Sequence, residues 1–292
     1  MKLVSFEYDG PPRIGVLHGD AIVDMTEVVP GRKLQMIDLL RIGEAGMALA
    51  AQAKAGNTPR IPLRDVRLLA PVPRPGKYLG VGGNYESHLQ EAVHLGVKRP
   101  QHPIWFNKQT TCVTGPFDPV HLPRVSAQLD YECELGIVIG RRCRHVAAED
   151  ALEVIGGYVV CNDVSVRDWQ LRSPTATLGK SFDTHGPFGP YLVTPDEIGD
   201  VQALRIRTWV NGELRQDGST GEMLFSCAQL IADLSQVCTL EPGDVLATGS
   251  PRGCGGLRQP PAYLRAGDVV RMEITDVGAI ENTVIDEPDW IA

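Results

Sequence analysis

Short apolar runs separated by turn residues dominate the first 70 positions. LVSFEY, RIGVLHG and AIVDM read as strands, split by Asp-Gly-Pro-Pro and Gly-Asp turns. MIDLLRIGEAGMALAAQAKAG then carries helical apolar spacing and stops at a glycine. IPLRDVRLLAPVPRPGK reads as an extended connector, because proline also pushes the residue before it out of the helical region. From Lys77 the texture changes to strands and turns: YLGVG, CELGIVIG, GYVVCND, YLVTP, LRIRTWVNGEL, DVLATG and DVVRMEI. Asn211-Gly212 predicts a hairpin turn, since both residues tolerate positive φ. AAEDALEVI and EMLFSCAQLIADLSQ predict helices. These are too few and too irregular for an alternating strand–helix pattern. The expectation is a β-rich α+β chain, with a small leading α+β unit over 1–70 and a larger unit over 71–292.

Composition narrows the function classes. The chain has 292 residues, 43% of them hydrophobic and 22% charged, which suits an ordered globular protein of one or two domains. Its net charge of -8 gives no general pull on nucleic acid or an anionic membrane, so neither is expected as a partner. An anionic substrate would need a local positive charge, and a bound metal cation is one source. No apolar run reaches membrane-spanning length, and MKLVSFEYDG does not read as a signal peptide. The seven cysteines are scattered and show no C-x-x-C spacing. Reduced thiols in a cytoplasmic protein are the expectation.

The candidate chemistry is acidic. In Asp130-Tyr-Glu132-Cys-Glu134-Leu-Gly-Ile-Val-Ile-Gly, residues two apart share a strand face, so Glu132 and Glu134 stand side by side at the edge of a buried run. Such a pair repels and loses hydration, and a hard divalent cation removes both costs. A solvated strand end is the plainer reading. Asp163 closes the strand GYVVCND and adds a third carboxylate, although an Asx turn or helix cap would use the same residue. Three acids without a nearby His or Cys partner suit Mg²⁺ or Mn²⁺. Arg167 and Gln170 share a face if their segment is a helical turn, and together they can hold a carboxylate or an oxyanion; an Arg167–Asp168 surface pair is the alternative. Lys180, between Gly179 and Ser181-Phe182, is a candidate for partial burial. His88 and Glu91 are three apart on a short helix, which allows a carboxylate to orient an imidazole as a general base. Thr248, in a strand running into Gly249-Ser-Pro, could reach a ligand carboxylate or be an ordinary strand residue.

The order of these segments carries more than any one of them. GVGGNYESHLQE, PIWFNKQTTCVTGP, LDYECELGIVIG, GYVVCNDVSVRDWQ, GKSFDTHGPFGP and LEPGDVLATGSPRG together resemble the fumarylacetoacetate hydrolase family, from about Lys77 almost to the C-terminus. The resemblance implies a mixed β-roll around a metal site, a small variable N-terminal domain and a homodimer. It implies Glu132, Glu134 and Asp163 as metal ligands, with Mg²⁺ or Mn²⁺ as cofactor and Ca²⁺ as a stand-in in crystals. It implies His88, Glu91 and Lys180 as catalytic residues, His88 and Glu91 lying on a mobile lid. It places Tyr85, Arg167, Gln170 and Thr248 at the substrate. One segment departs from the family pattern: Gly249-Ser-Pro-Arg252-Gly-Cys254-Gly stands where members often read Gly-Thr-Pro-x-Gly-Val-Gly. As that turn edges the pocket, Arg252 argues against a simple apolar-tailed substrate.

The expected reaction is metal-dependent cleavage of a C–C bond in an acylpyruvate-like 2,4-dioxo acid, with His88 activating water. Two alternatives use the same enolate without water attack: a tautomerase or isomerase of a 2-oxo acid, and a decarboxylase. A non-catalytic metal-binding scaffold is the reading from a different class, and the presence of every matched chemical residue speaks against it.

Overall fold

The computed structural model describes residues 1–93 and 96–289; the last three positions of the 71–292 unit lie outside them. The leading apolar runs form the antiparallel strands β1 (Lys2–Glu7), β2 (Arg13–His18) and β3 (Ala21–Asp24). The helical stretch after them is two helices, α1 (Met36–Ile42) and α2 (Glu44–Ala55). Gly43 divides them at φ 68°, a left-handed conformation that glycine enters without steric cost. The proline-rich connector does more than extend. It supplies β4 (Arg60–Pro62), paired with β3, and β5 (Arg67–Leu69), paired with β1.

Strand β6 (Tyr78–Gly82) leads into the short helix α3 (Glu86–Ala92), then β7 (Ile104–Lys108). Three short strands come next: β8 (Val113–Thr114), β9 (Val120–Leu122) and β10 (Leu129–Asp130). The central pair is β11 (Cys133–Ile139) and β12 (Ile155–Asn162). Between them AAEDALEVI forms only a 3-10 turn over Ala151–Val154, not the predicted helix. Ala151 and Val154 are buried, and Ile155 already belongs to β12, so no chain is left to repay helix nucleation. Beyond β12 lie β13 (Ser165–Val166), the single helical turn α4 (Arg167–Gln170) and β14 (Gly186–Val193). β15 (Arg205–Val210) and β16 (Glu213–Ser219) form the hairpin expected at Asn211-Gly212, both at positive φ. α5 (Cys227–Val237) starts later than EMLFSCAQLIADLSQ suggested, because Ser226 and Gln229 close a capping box there. β17 (Val245–Ala247), β18 (Val269–Ile274) and β19 (Gly278–Asp286) complete the chain.

The main sheet runs β4-β3-β2-β1-β14-β12-β11-β17-β6-β7, with β5 added on β1 and β8 on β14. A second sheet, β16-β15-β18-β19-β9, lies against it, and β10 pairs with β13. The sheets are mixed: β17–β6, β14–β8 and β19–β9 are parallel. β11 is buried on both faces. Leu135, Ile137 and Ile139 enter one core with Ile206, Ile231 and Met272. Val138 enters the other with Leu3, Leu39 and Leu40. Double-sided burial explains why LGIVIG is an uninterrupted apolar run. The same arrangement shows how the leading 70 residues are held. β1 pairs with β14 and α1 packs into a shared core, so this unit extends the main sheet, while Val4, Phe6, Ile22 and Leu68 form a small core of its own.

Candidate metal centre and active site

The antiparallel register of β11 and β12 sets Cys133 opposite Asn162, which places the acids just outside both strand ends beside each other. The Asp163 N–H donates to the Glu132 carbonyl at 2.9 Å, and Asn162 Oδ1 accepts the Glu132 N–H at 3.2 Å. Strand alternation then puts Glu132 and Glu134 on one side. All three carboxylates are buried, and one oxygen from each lies within 4.8 Å of the others.

Buried acids at that spacing need compensation, since the desolvation cost is several kcal/mol per ion. Lys180, at 2% exposure, donates to Glu132 Oε2 at 2.5 Å and also to Asp163 Oδ2. Lys108 holds Asp163 Oδ1 at 2.6 Å. Arg167 reaches Glu132 Oε1 at 2.8 Å and, through Nε, Asp130 Oδ2 at 2.8 Å. Burial disfavours the Glu132 carboxylate, yet Arg167 and Lys180 outweigh it and hold the group well below the usual range. The Lys180 ammonium is likewise opposed by burial and raised by Asp163 and Glu132. Glu134 differs. Its Oε2 takes the Gly249 N–H at 2.8 Å, and no ion pair reaches it among the described residues. Burial first, then Asp163 and Glu132, push its carboxyl well above the usual range. Four acids with Asp130 included therefore face three cations, and the unneutralised one lies in the cluster. An all-oxygen donor set with one acid left without a cation partner fits a hard divalent cation.

Glu132 and Glu134 open onto a cavity of about 150 Å³, lined also by His88, Arg167, Gln170 and Lys180, with Val81, Trp105, Phe106 and Pro174 as its apolar wall. A larger hollow of about 910 Å³ beside α1 and α2 has no such cluster, and its charged residues Arg141 and Arg142 pair with Glu153 and Glu241. His88 Nδ1 is buried and has no hydrogen-bond partner among the described residues. Burial lowers the imidazole pKa, so the ring is neutral near pH 7. Glu91 Oε2 accepts the Gly253 N–H at 2.9 Å, so this oxygen ties α3 to the late glycine turn instead of orienting Nδ1. The Arg252 N–H donates to Ser87 at 3.3 Å in the same place, while the Arg252 side chain is exposed and outside the cavity lining.

The helical turn expected at Arg167 exists, and Arg167 donates to Gln170 Oε1 at 2.9 Å. Asp168 turns away to Ser126, so no Arg167–Asp168 pair competes. Tyr85 and Thr248 are fully buried and are not among the residues that line the cavity. The Thr248 hydroxyl donates to the Leu135 carbonyl at 2.8 Å, which fixes the strand. Lys108, Asp130 and Asn84 are additions from the structure. Asp130 accepts the Gly255 and Gly256 N–H groups as well as Arg167, and Asn84 bridges Thr248 and Phe225. A signal for Lys108 existed: alternation along Ile104-Trp-Phe-Asn-Lys108 sets Phe106 and Lys108 on the inner face.

Comparison with known proteins matches this arrangement to a family. The fumarylacetoacetate (FAA) hydrolase C-terminal family matches residues 77–285, and an Rv2993c-like N-terminal family matches residues 1–71. The chain belongs to the fumarylacetoacetate hydrolase family. Members of this family similar to the chain are enzymes of several reaction types. The oxaloacetate tautomerase Fahd2a, mitochondrial, of Rattus norvegicus is 41% identical over 98% of this chain and 92% of its own. Maleylpyruvate hydrolase from Sphingobium sp. SYK-6, solved with manganese(II) and pyruvate, is 34% identical at a TM-score of 0.82, covering 99% of this chain and 100% of that one. The 5-carboxymethyl-2-hydroxymuconate delta-isomerase from Mycobacterium smegmatis is 31% identical at a TM-score of 0.78, with coverage of 99% and 100%. The β-rich roll expected from the sequence is the fold of this family. Among the described residues no helix is long and apolar enough to cross a membrane.

Proposed function

We propose that the protein interconverts the enol and keto forms of a small 2-oxo dicarboxylic acid of the oxaloacetate type, using Mg²⁺ or Mn²⁺ held by Glu132, Glu134 and Asp163. The observation that carries the reading is His88: a neutral imidazole in the wall of the cavity that Glu132 and Glu134 also line, with a buried Nδ1 that has no partner among the described residues. The sequence alone favoured C–C hydrolysis by water activated through a His88–Glu91 pair. Glu91 Oε2 is instead engaged at Gly253, and a relative at 41% identity over nearly the whole chain is named a tautomerase. Size agrees, since a cavity of about 150 Å³ is of the order that takes one benzene ring, leaving little room for a long acyl tail.

Enolisation moves one proton from C3 to the 2-oxo oxygen and consumes no water. A divalent cation bound at the acids would draw charge off the 2-oxo group and lower the cost of the step. His88 takes the C3 proton and returns it in the reverse direction. Lys180 and the amide NH₂ of Gln170, whose Oε1 already accepts from Arg167, donate to the oxygen on which negative charge grows. Trp105 and Phe106 keep bulk water from the carbanion face. The seven unpaired cysteines suit a reducing compartment, which we take to be the cytoplasm; the rat relative is named as mitochondrial.

Hydrolysis of a 2,4-dioxo acid is the second reading, favoured by the likeness to maleylpyruvate hydrolase. Ultraviolet loss of enol-oxaloacetate and of acetylpyruvate, each with and without chelator, separates the two. The expected result is metal-dependent acceleration of the first, with His88→Ala slowed by about 10²- to 10⁴-fold and still able to bind Mn²⁺. Cleavage of acetylpyruvate without any acceleration of oxaloacetate tautomerisation hands the site to the hydrolase reading.

A further inference from the structure

We propose that Lys108 is a positioning residue that makes Asp163 present a single oxygen to the cation, and that this tunes the site toward a small octahedral ion and away from Ca²⁺. The inference rests on reading Glu132, Glu134 and Asp163 as the cation's ligands. Lys108 Nζ lies 2.6 Å from Asp163 Oδ1 and 3.4 Å from the Val164 carbonyl, and both side chains of the pair have 0% exposure. The other two acids are held in the same manner. Glu132 Oε1 takes an Arg167 N–H at 2.8 Å, and Glu134 Oε2 takes the Gly249 N–H at 2.8 Å. Gly249 sits at φ 98°, where an added Cβ would come within 2.8 Å of the Asn84 Cβ, so that donor is fixed by backbone. Each ligand acid thus has one oxygen held by its own donor from outside the trio, while the other oxygens of Glu132 and Asp163 converge on Lys180 Nζ, the position a cation would compete for.

Ion size makes this arrangement selective. Mg²⁺ demands near-octahedral geometry with single carboxylate oxygens, and Mn²⁺ accepts the same octahedral oxygen set, whereas Ca²⁺ takes six to eight oxygens and readily uses both of one carboxylate. For Asp163 to ligate through both, Oδ1 must leave Lys108 and strand an ammonium in an interior that water does not reach. The penalty falls on the ion that wants the second oxygen.

The test is the ratio of Ca²⁺ to Mn²⁺ affinity, read by Mn²⁺ electron paramagnetic resonance with Ca²⁺ competition, for the parent, Lys108→Met and Lys108→Arg. Repulsion by the lysine charge acts alike on two divalent ions and cancels in the ratio, which leaves the orientation effect. Lys108→Met should move the ratio toward Ca²⁺ by about tenfold or more, in line with the effect of outer-shell partners on metal affinity. Lys108→Arg, which keeps charge and N–H donors, should stay near the parent. If Lys108→Met does not fold, the neutral and shorter Lys108→Gln carries the same expectation. An unchanged ratio in the neutral variant overturns the proposal while leaving the cation site standing. A parent that binds no Mn²⁺ overturns both.

Discussion

His185 lies at 0% exposure, with Nε2 2.8 Å from the His121 carbonyl and Nδ1 without a partner among the described residues. Burial pushes its pKa down to about 3, so the folded protein keeps it neutral while the unfolded chain protonates it below about 6.5. Protons then favour the unfolded state. Stability is unaffected above pH 6.5 and falls steadily below it, by about 2 kcal/mol at pH 5 from this residue. Urea unfolding at pH 7 and pH 5 should show that extra loss in the parent. In His185→Gln, whose amide can still reach the His121 carbonyl, it should be absent. Equal losses in both proteins would remove the assignment. At the same scale, the acidic trio was legible because its signals are local: a two-residue strand period and a strand-end Asp. The cations around it were less so. Arg167 pairs with Asp130 across 37 positions, a partnership made by chain folding that no spacing rule reaches. Lys108 had only its inward strand phase to mark it, in a residue type that is usually solvated.

Helix α3 carries His88 and is attached to the late glycine turn at two points, Glu91 to the Gly253 N–H and Ser87 to the Arg252 N–H. Positive φ at Gly253, 104°, lets that turn pass so close to β16 that an added Cβ would lie 2.1 Å from the Arg215 carbonyl. The departure at Arg252 and Cys254 thus bears on how α3 is held: the Arg252 side chain points to solvent, and Cys254 is buried with its thiol 3.8 Å from Glu132 Oε1. Removing the Glu91 carboxylate should loosen the helix by about 1 kcal/mol, or about fivefold in opening. Hydrogen exchange of residues 86–92 should therefore quicken in Glu91→Ala while Mn²⁺ affinity stays at the parent value. Unchanged protection of α3 would contradict the attachment. Elements were legible where a run had one periodicity and a hard stop, as in β11 and the Asn211-Gly212 hairpin. They were misread where the deciding event was a single backbone angle, as at Gly43, or competition with a neighbouring strand, as at Ala151–Val154.

Large apolar side chains remain exposed on or beside elements that line the cavity, among them Ile104, Leu171 and Leu178. Apolar surface grouped at one mouth favours burial by a partner, and we propose the homodimer expected from the sequence with this face at its interface. Sedimentation at micromolar concentration should give twice the chain mass of 31.7 kDa, and Leu171→Asp should shift the protein to the monomer. A parent that sediments only as a monomer refutes the dimer. At this scale the leading 70 residues stand out by a turn-rich texture that differs from that of the larger unit, and β1 on β14 joins them to the main sheet. That sheet holds β11 and β12 in the register that gathers Glu132, Glu134 and Asp163, and on this cation site the whole account depends. Anomalous diffraction from a crystal soaked in Mn²⁺ tests it most directly. The predicted result is one strong peak among these three carboxylates, absent in Glu132→Gln crystals soaked alike. A peak elsewhere, or none in the parent, contradicts it.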